Sequence, residues 1–215
     1  SERMTDEGVL VSIELLMEIF PAAFLSGAGR MFYFVVLRSV NLSLQHGNST
    51  ETAFAFAAYG MLLCGGLDDP AAGYEYGKLA LARNESDEDI GLKSRISYVY
   101  GMFIHHWSNH WTSLTDWFKR GIESGYQSGD LLYLAYNAQD CVIWDPTLDI
   151  QTAIEEQIGY LEIVRDCQYR DSLDSGTLFL QLLKNFAGQT DDVFSLSDAA
   201  FDEAACLDGM VGRRF

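Results

Sequence analysis

Basic residues are scarce in this chain: 14 Lys and Arg stand against 31 Asp and Glu, a formal charge of −17 over 215 residues. Phosphate backbones and anionic lipid surfaces are drawn to Lys/Arg-rich faces, so neither nucleic acid nor a membrane surface is an expected partner. The acids read as solvated outer helix faces, and they suit a basic protein partner. Long apolar runs are also missing. The longest strongly apolar stretch, Met31 to Leu37, falls short of the roughly 18 residues that announce a membrane span, and no signal peptide opens the sequence. No membrane insertion is expected. Cysteine is present only as Cys64, Cys141, Cys167 and Cys206, too widely spaced for a zinc ribbon. Small buried thiols in a reduced, cytoplasmic compartment explain them. The sequons at Asn41, Asn48 and Asn84 are then chance matches.

Catalytic signatures are lacking as well. The sequence contains no Gly-x-x-x-x-Gly-Lys-Ser/Thr phosphate loop, no His-Arg-Asp or Asp-Phe-Gly kinase element, and no Gly-x-Ser-x-Gly nucleophile elbow. His105, His106 and His110 lie close in sequence, with His106 and His110 four apart. A zinc enzyme needs a third ligand and an open position, and Ser108 is no base. With Trp107, Trp111 and Trp117 nearby, the cluster reads as aromatic packing. Cys141 has no base fixed beside it. Glu155 and Glu156 are adjacent and point roughly 100° apart on a helix. The acids Glu85, Asp87, Glu88 and Asp89 lack the spacing and glycine of a calcium loop, so Asn84 to Asp89 reads as a polar connector. The expectation is a chain that is not an enzyme, with no metal and no cofactor. A metal-dependent hydrolase using the His105 cluster is the lesser alternative.

What is present is apolar content at helical spacing. Hydrophobic residues make up 48% and aromatics 13%, enough for one well-buried domain over residues 1–215. Val9, Ile13, Leu16 and Phe20 mark a first helix from about Asp6 to Pro21 or slightly beyond. Gly27 and Gly29 break it. Arg30 to Gln45 is apolar almost all round and predicts a helix buried on two sides, stopped by Gly47, with Ser49 or Thr50 capping the next. Further helices are predicted over Glu51–Cys64, Pro70–Arg83, Leu92–Trp107, Ser113–Ser124 and Leu131–Trp144, the last capped by Gly129-Asp130 and closed by Pro146. Ile150, Ile154, Ile158 and Leu161 mark another, as do Leu178, Leu182 and Phe186, and a last element begins near Asp198. Gly73 and Gly77 share a face and predict close helix approach.

Tyr59-Gly60 and Tyr100-Gly101 recur 41 residues apart in equivalent places of two helix pairs. The tetratricopeptide template has a small residue on its first helix and alanine and aromatic positions on its second, repeating at roughly 34 residues. Phe56, Tyr59, Gly60, Leu63, Ala72 and Tyr76 fit one unit. Tyr100, Gly101, Ile104 and Trp117 fit a second, lengthened unit with Ser113 at the alanine position. The fold class is therefore all-α, a set of TPR-like antiparallel helix-pair repeats expected to form a right-handed α-solenoid.

The stretch Asn41-Leu42-Ser43-Leu44-Gln45-His46-Gly47-Asn48-Ser49 resembles the Leu-Ser-Leu-x-His-Gly-Asn-Ser segment in the TPR-like region of very large bacterial signalling proteins. The resemblance continues through Tyr59-Gly60, Gly73 to Leu81, Phe103 to Trp107, Gly129 to Tyr133 and Phe201-Asp202-Glu203, across most of residues 35 to 203. In that family a serine/threonine-kinase-like domain and an AAA-type ATPase precede the helical region, and GAF and sensor histidine-kinase modules follow it. The resemblance implies a fragment of a longer chain, a non-catalytic scaffold that couples adjacent domains of one polypeptide, or protein partners, in signal transduction. The alternative is a ligand-sensing domain that takes a peptide or small molecule in a groove between repeats, at Tyr59, Tyr100, His105 and Tyr136. Apolar residues from Phe201 to Val211 add an expectation of fold-back or self-association through 198–215.

Overall fold

The structure, a computed structural model, describes residues 3–86 and 90–213. The described residues are helical throughout, without a strand; the only β pairing among them is two isolated bridges, Arg3 with Asn48 and Asp198 with Phe201. The chain forms two compact units, Ser1–Trp111 and Thr112–Phe215.

The first unit is built from α1 (Glu7–Leu25), α2 (Gly29–His46), α3 (Thr52–Gly65), α4 (Pro70–Ser86) and α5 (Lys93–Phe103). Its centre is α3, on which α2, α4 and α5 all pack. Small residues explain the position. In Thr-Ala-Phe-Ala-Phe-Ala-Ala-Tyr-Gly the alanines and Gly60 let three neighbours approach, and nearly every α3 side chain is buried. Tyr76 of α4 lies edge-on to Tyr59 and Phe56 of α3, at ring distances of 4.8 and 6.0 Å. A Cβ added at Gly60 would stand 2.8 Å from the Gly73 carbonyl oxygen and 2.9 Å from Ile104 Cδ1. A Cβ at Gly73 would strike the Cys64 sulfur, and one at Gly77 would meet the Tyr100 ring at 2.8 Å. The two helix backbones are thus in contact, with no side chain between them.

The α1–α2 pair differs from expectation. Helix α2 is not buried on two sides: Phe32, Val35, Val36, Ser39 and Val40 face inward, while Met31, Phe34 and Leu37 are exposed. It lies at the edge of the unit, and α3 takes the interior place because its side chains are smaller. Helix α1 runs through Pro21 to Leu25, with the Asp6 carboxylate accepting from the Gly8 and Val9 N–H groups. It is long and apolar enough to cross a membrane by length and composition, which the short run Met31–Leu37 had not revealed. Here Ile13, Met17 and Phe20 are buried, Phe20 stacks edge-on against Phe54 at 5.1 Å, and Glu18 pairs with Arg95 of α5 at 2.7 Å.

Other boundaries move for local reasons. The cap of α3 is Glu51, without a side-chain bond; the Ser49 N–H donates instead to Thr52 Oγ1. Helix α4 continues to Ser86, so Asn84 and Glu85 are helical and not connector; Asp87, Glu88 and Asp89 lie outside the described residues. Helix α5 stops at Phe103 rather than Trp107. The Asn109 side chain donates to the His105 carbonyl at 3.1 Å, and the Ser108 and Asn109 N–H groups converge on that same oxygen. Polar side chains that bond nearby backbone compete with the helix in this way, and 3-10 turns at His105–Trp107 and Trp111–Ser113 result.

The second unit contains α6 (Leu114–Ser128), α7 (Leu131–Asp140), α8 (Ile150–Asp166), α9 (Arg170–Phe186) and α10 (Glu203–Arg213). Helix α6 runs past Ser124 to Ser128 and ends at Gly129 with φ 74°; Asp130 then caps α7 through the Tyr133 N–H. Helix α7 ends at Asp140 and not Trp144, because the Cys141 N–H turns to the Ala138 carbonyl. At Gly121 an added Cβ would run into Asn137 of α7, and at Gly176 it would stand 2.8 Å from Leu161 of α8. The apolar stripes of α8 and α9 are rotated from the predicted ones. Ile154 and Leu161 are buried while Ile150 and Ile158 are exposed, and Gln157 occupies the interior with its amide donating to the Gly176 carbonyl at 3.1 Å. On α9, Leu180 and Leu183 are inside, and Leu182 and Phe186 face out. Bare backbone at Gly176 gives a polar side chain an interior partner, which a count of apolar positions misses.

The last helix starts at Glu203, later than Asp198, and lies back against α9. Arg213 pairs with Asp171 at 2.7 Å and with Asp174. Lys184 bonds Asp198 at 2.9 Å, and that bond, ahead of the Ala200 and Gln181 contacts, holds the Asp198 carboxyl down to about 2.

The glycine contacts carry a testable asymmetry. Gly60→Ala should destabilise the chain by about 1–3 kcal/mol through overpacking, whereas Gly159→Ala, in an exposed turn of α8 with no atom within 4 Å of the added Cβ, should stabilise by about 0.5–1 kcal/mol. Urea midpoints measure both; equal shifts in the two variants would contradict the packing described.

Candidate ligand-binding site

A cavity of about 420 Å³ opens in the first unit where four elements meet. The last turn of α1 contributes Phe24, the start of α2 contributes Phe32 and Tyr33, the end of α3 contributes Met61, Leu62, Gly65 and Gly66, and Phe103, His106 and Trp107 close it from α5 and its 3-10 turn. The α1–α2 corner exists because Gly27 adopts φ 66°, and its open surroundings leave room at the mouth. Phe24 lies 5.4 Å from the Phe32 ring and 5.5 Å edge-on from Phe103. Phe32 continues to Phe20 at 5.5 Å, which ties this lining to the core. A volume of this size falls within the range of small-molecule sites, roughly 300–1,000 Å³.

The electrostatics are simple. No Asp, Glu, Lys or Arg belongs to the lining, although the chain carries a charge of −17. His106 is the one imidazole. Burial pushes its pKa below the ordinary value, and a hydrogen bond to the backbone of Gly101 opposes that shift without overcoming it. Its ring lies 5.5 Å from Trp107.

The groove residues expected from sequence fall in three places. Tyr100 and His105 come together: both are buried, their rings 5.5 Å apart. Asn109 Nδ2 lies 3.3 Å from His105 Nδ1. The Tyr100 hydroxyl bonds Tyr74, and its pKa is raised well above the tyrosine range, first by burial and then by that bond. Hydrogen bonds from Asn109 and Tyr100 lower the pKa of Tyr74 in turn. Tyr59 lies apart from this cluster, edge-on to Tyr76. Tyr136 belongs to the second unit, 5.7 Å from the Tyr133 ring, with burial pushing its hydroxyl up to about 12. None of the four lines the aromatic cavity. The missed signal was the placement of Phe24, Phe32, Tyr33 and Phe103 beside glycine-marked helix ends, read only as helix breaks.

Two other features have local explanations. The 41–49 segment ties α2 to α3: Ser43 Oγ lies 3.1 Å from Thr52 Oγ1 and donates to the Ser39 carbonyl, and the Met4 N–H donates to the Asn48 carbonyl at 2.8 Å. It borders a cavity of about 570 Å³ that also touches Phe56, Leu79 and Arg83. Among the described residues no three His, Cys, Asp or Glu side chains gather as a metal site; His105 faces Tyr100 and Asn109, and His106 faces the aromatic cavity. Burial pushes the Cys141 thiol up to about 11, away from the thiolate a nucleophile needs. Cys64, Cys141 and Cys167 are buried, and none of the four cysteines forms a disulfide.

Among known proteins, the chain is similar to the hybrid signal transduction histidine kinase G of Dictyostelium discoideum, 23% identical over 133 residues. Those residues are 61% of this chain and 4% of the relative, so the chain spans a small part of that protein's length. The similarity fits a signalling context. No described protein family matches the chain, and no solved structure does.

The partly desolvated imidazole of His106 yields a prediction with a definite sign. Folded His106 takes its proton below 6.5, the value for a free side chain, so the unfolded chain binds more protons in that window, and stability contributed by neutral His106 is lost as pH falls through it. Ring-proton NMR titration should place His106 below 6.5; a midpoint at or above that value would contradict the desolvation of the ring against the aromatic lining.

Proposed function

We propose that this chain is a non-catalytic coupling module of a signalling polypeptide, a cytoplasmic set of TPR-like helix pairs of an α-solenoid that links neighbouring domains or protein partners. The observation that carries the reading is the 133-residue similarity to a hybrid histidine kinase of which this chain spans only a small part. The resemblance of Asn41 to Ser49 and of the Tyr59-Gly60 repeat to the helical regions beside AAA-type ATPase and histidine-kinase modules supports the same role. The physical basis is stiffness. Backbone contact at Gly60 and Gly73 leaves no flexible side chain between α3 and α4, so displacement of one helix moves the other, and close-packed interiors transmit such strain. The acidic surface favours a basic partner face and disfavours nucleic acid and anionic membranes. The aromatic cavity favours a second reading within the same role, in which the module also senses a ligand.

The test uses the whole polypeptide in which this chain occurs. Its coding sequence should contain a phosphate loop and histidine-kinase motifs beyond residues 1–215, and Gly60→Ala should change regulated autophosphorylation by about twofold or more while ATP affinity stays unchanged. A polypeptide without kinase or ATPase motifs, or one regulated identically with Gly60→Ala, would contradict the coupling role.

A further inference from the structure

The aromatic cavity of the first unit has a chemistry specific enough to name the class of its ligand. Its walls are ring faces and edges, Phe24, Phe32, Tyr33, Phe103 and Trp107, which favour a planar guest. No charged side chain belongs to the lining, so an ion entering it would give up hydration without a counter-charge. The polar side-chain groups in the lining are the Tyr33 hydroxyl, the Trp107 indole N–H and the His106 imidazole, of which the imidazole can offer a nitrogen that only accepts. One ring N–H of His106 is held by the backbone of Gly101, and partial desolvation against the aromatic wall favours the neutral ring. A neutral imidazole has one donor and one acceptor nitrogen, so with the donor committed, the second nitrogen can only accept.

From these features we propose that the cavity binds an uncharged, planar bicyclic aromatic small molecule bearing one N–H or O–H donor, of the indole type, stacked among the rings and donating to the second nitrogen of His106. The inference rests on the ligand-sensing reading and adds to it the class of ligand and the residue that selects it. The same group exists as a free small molecule and as a tryptophan side chain; a volume of about 420 Å³ walled by side-chain rings fits the free molecule, and that is the form assigned.

Calorimetric titration of the intact chain with indole, benzofuran and N-acetyltryptophanamide tests this. Benzofuran has the shape of indole without the N–H, and leaves the His106 acceptor without a donor. Indole should bind at one per chain, about tenfold more tightly than benzofuran, and more tightly than the capped tryptophan. His106→Phe, which keeps a ring in place, should abolish the preference for indole while benzofuran still binds. Gly65→Leu provides an independent check, since Gly65 lines the cavity and a Cβ there meets no atom within 4 Å; the leucine should fill the space without disturbing the fold and remove binding of both probes. Equal affinities for indole and benzofuran would overturn the donor assignment while leaving a ligand-binding cavity. Binding of neither probe, or indole binding unchanged by Gly65→Leu, would overturn the site itself, and tighter binding of the capped tryptophan would overturn the small-molecule assignment.

Discussion

Backbone contact at Gly60 is the constraint on which the first unit depends. With the Gly73 carbonyl 2.8 Å from where a Cβ would sit and the Gly77 nitrogen 3.2 Å away, α3 and α4 cannot accept even a methyl group between them. That closeness draws Tyr100 of α5 and Ile104, the residue just after α5, onto the same seam through Gly77, and it leaves α3 enclosed by α2, α4 and α5. The second unit repeats the device with different chemistry. Gly121 makes room for the Asn137 side chain, and Gly176 makes room for Leu161 while lending its carbonyl to buried Gln157. In each case the missing Cβ sets the separation of two helices, and side chains then fill what remains.

Much of this was legible in the residues, and the reasons for the rest are physical. Helical periodicity located α1 to α9, Pro70 marked the start of α4, and Gly47 and Gly129 marked helix ends that the structure realises with φ of 91° and 74°. The close approach at Gly73 and Gly77 followed from their shared face. Periodicity failed where a polar residue is interior: Gln157 displaced the predicted stripe of α8 because Gly176, far away in sequence, offers it a carbonyl. It failed at α2 because an all-round apolar composition does not say which helix reaches the centre; the smaller side chains of α3 decided that. The end of α5 depended on Asn109 competing for the His105 carbonyl, a bond that spacing alone does not reveal. The groove residues were chosen from repeat geometry, which does not point to the cavity, since the cavity is made by helix ends converging and not by a helix face.

The position of the cavity gives the two functional readings a common element. Met61 and Leu62, which line it, follow Gly60 directly on α3, so an occupant would press on the helix that the glycine seam locks to α4. His106 and Trp107 reach the same space from the 3-10 turn that ends α5. Under the proposed ligand-sensing role, occupancy would be linked to helix position through α3 without any long side-chain relay.

The central claim is that α3, held by bare backbone contact on one side and by α2 and α5 on the others, is the most rigid element of the first unit. Native-state hydrogen exchange across residues 3–86 and 90–111 tests it most directly, because amides in the last element to open exchange only through global unfolding. The account predicts that the amides of Phe56 to Leu63 exchange with the full free energy of unfolding of the unit, while those of the exposed face of α1 exchange through smaller openings. Exchange from α3 as fast as from α1 would contradict it.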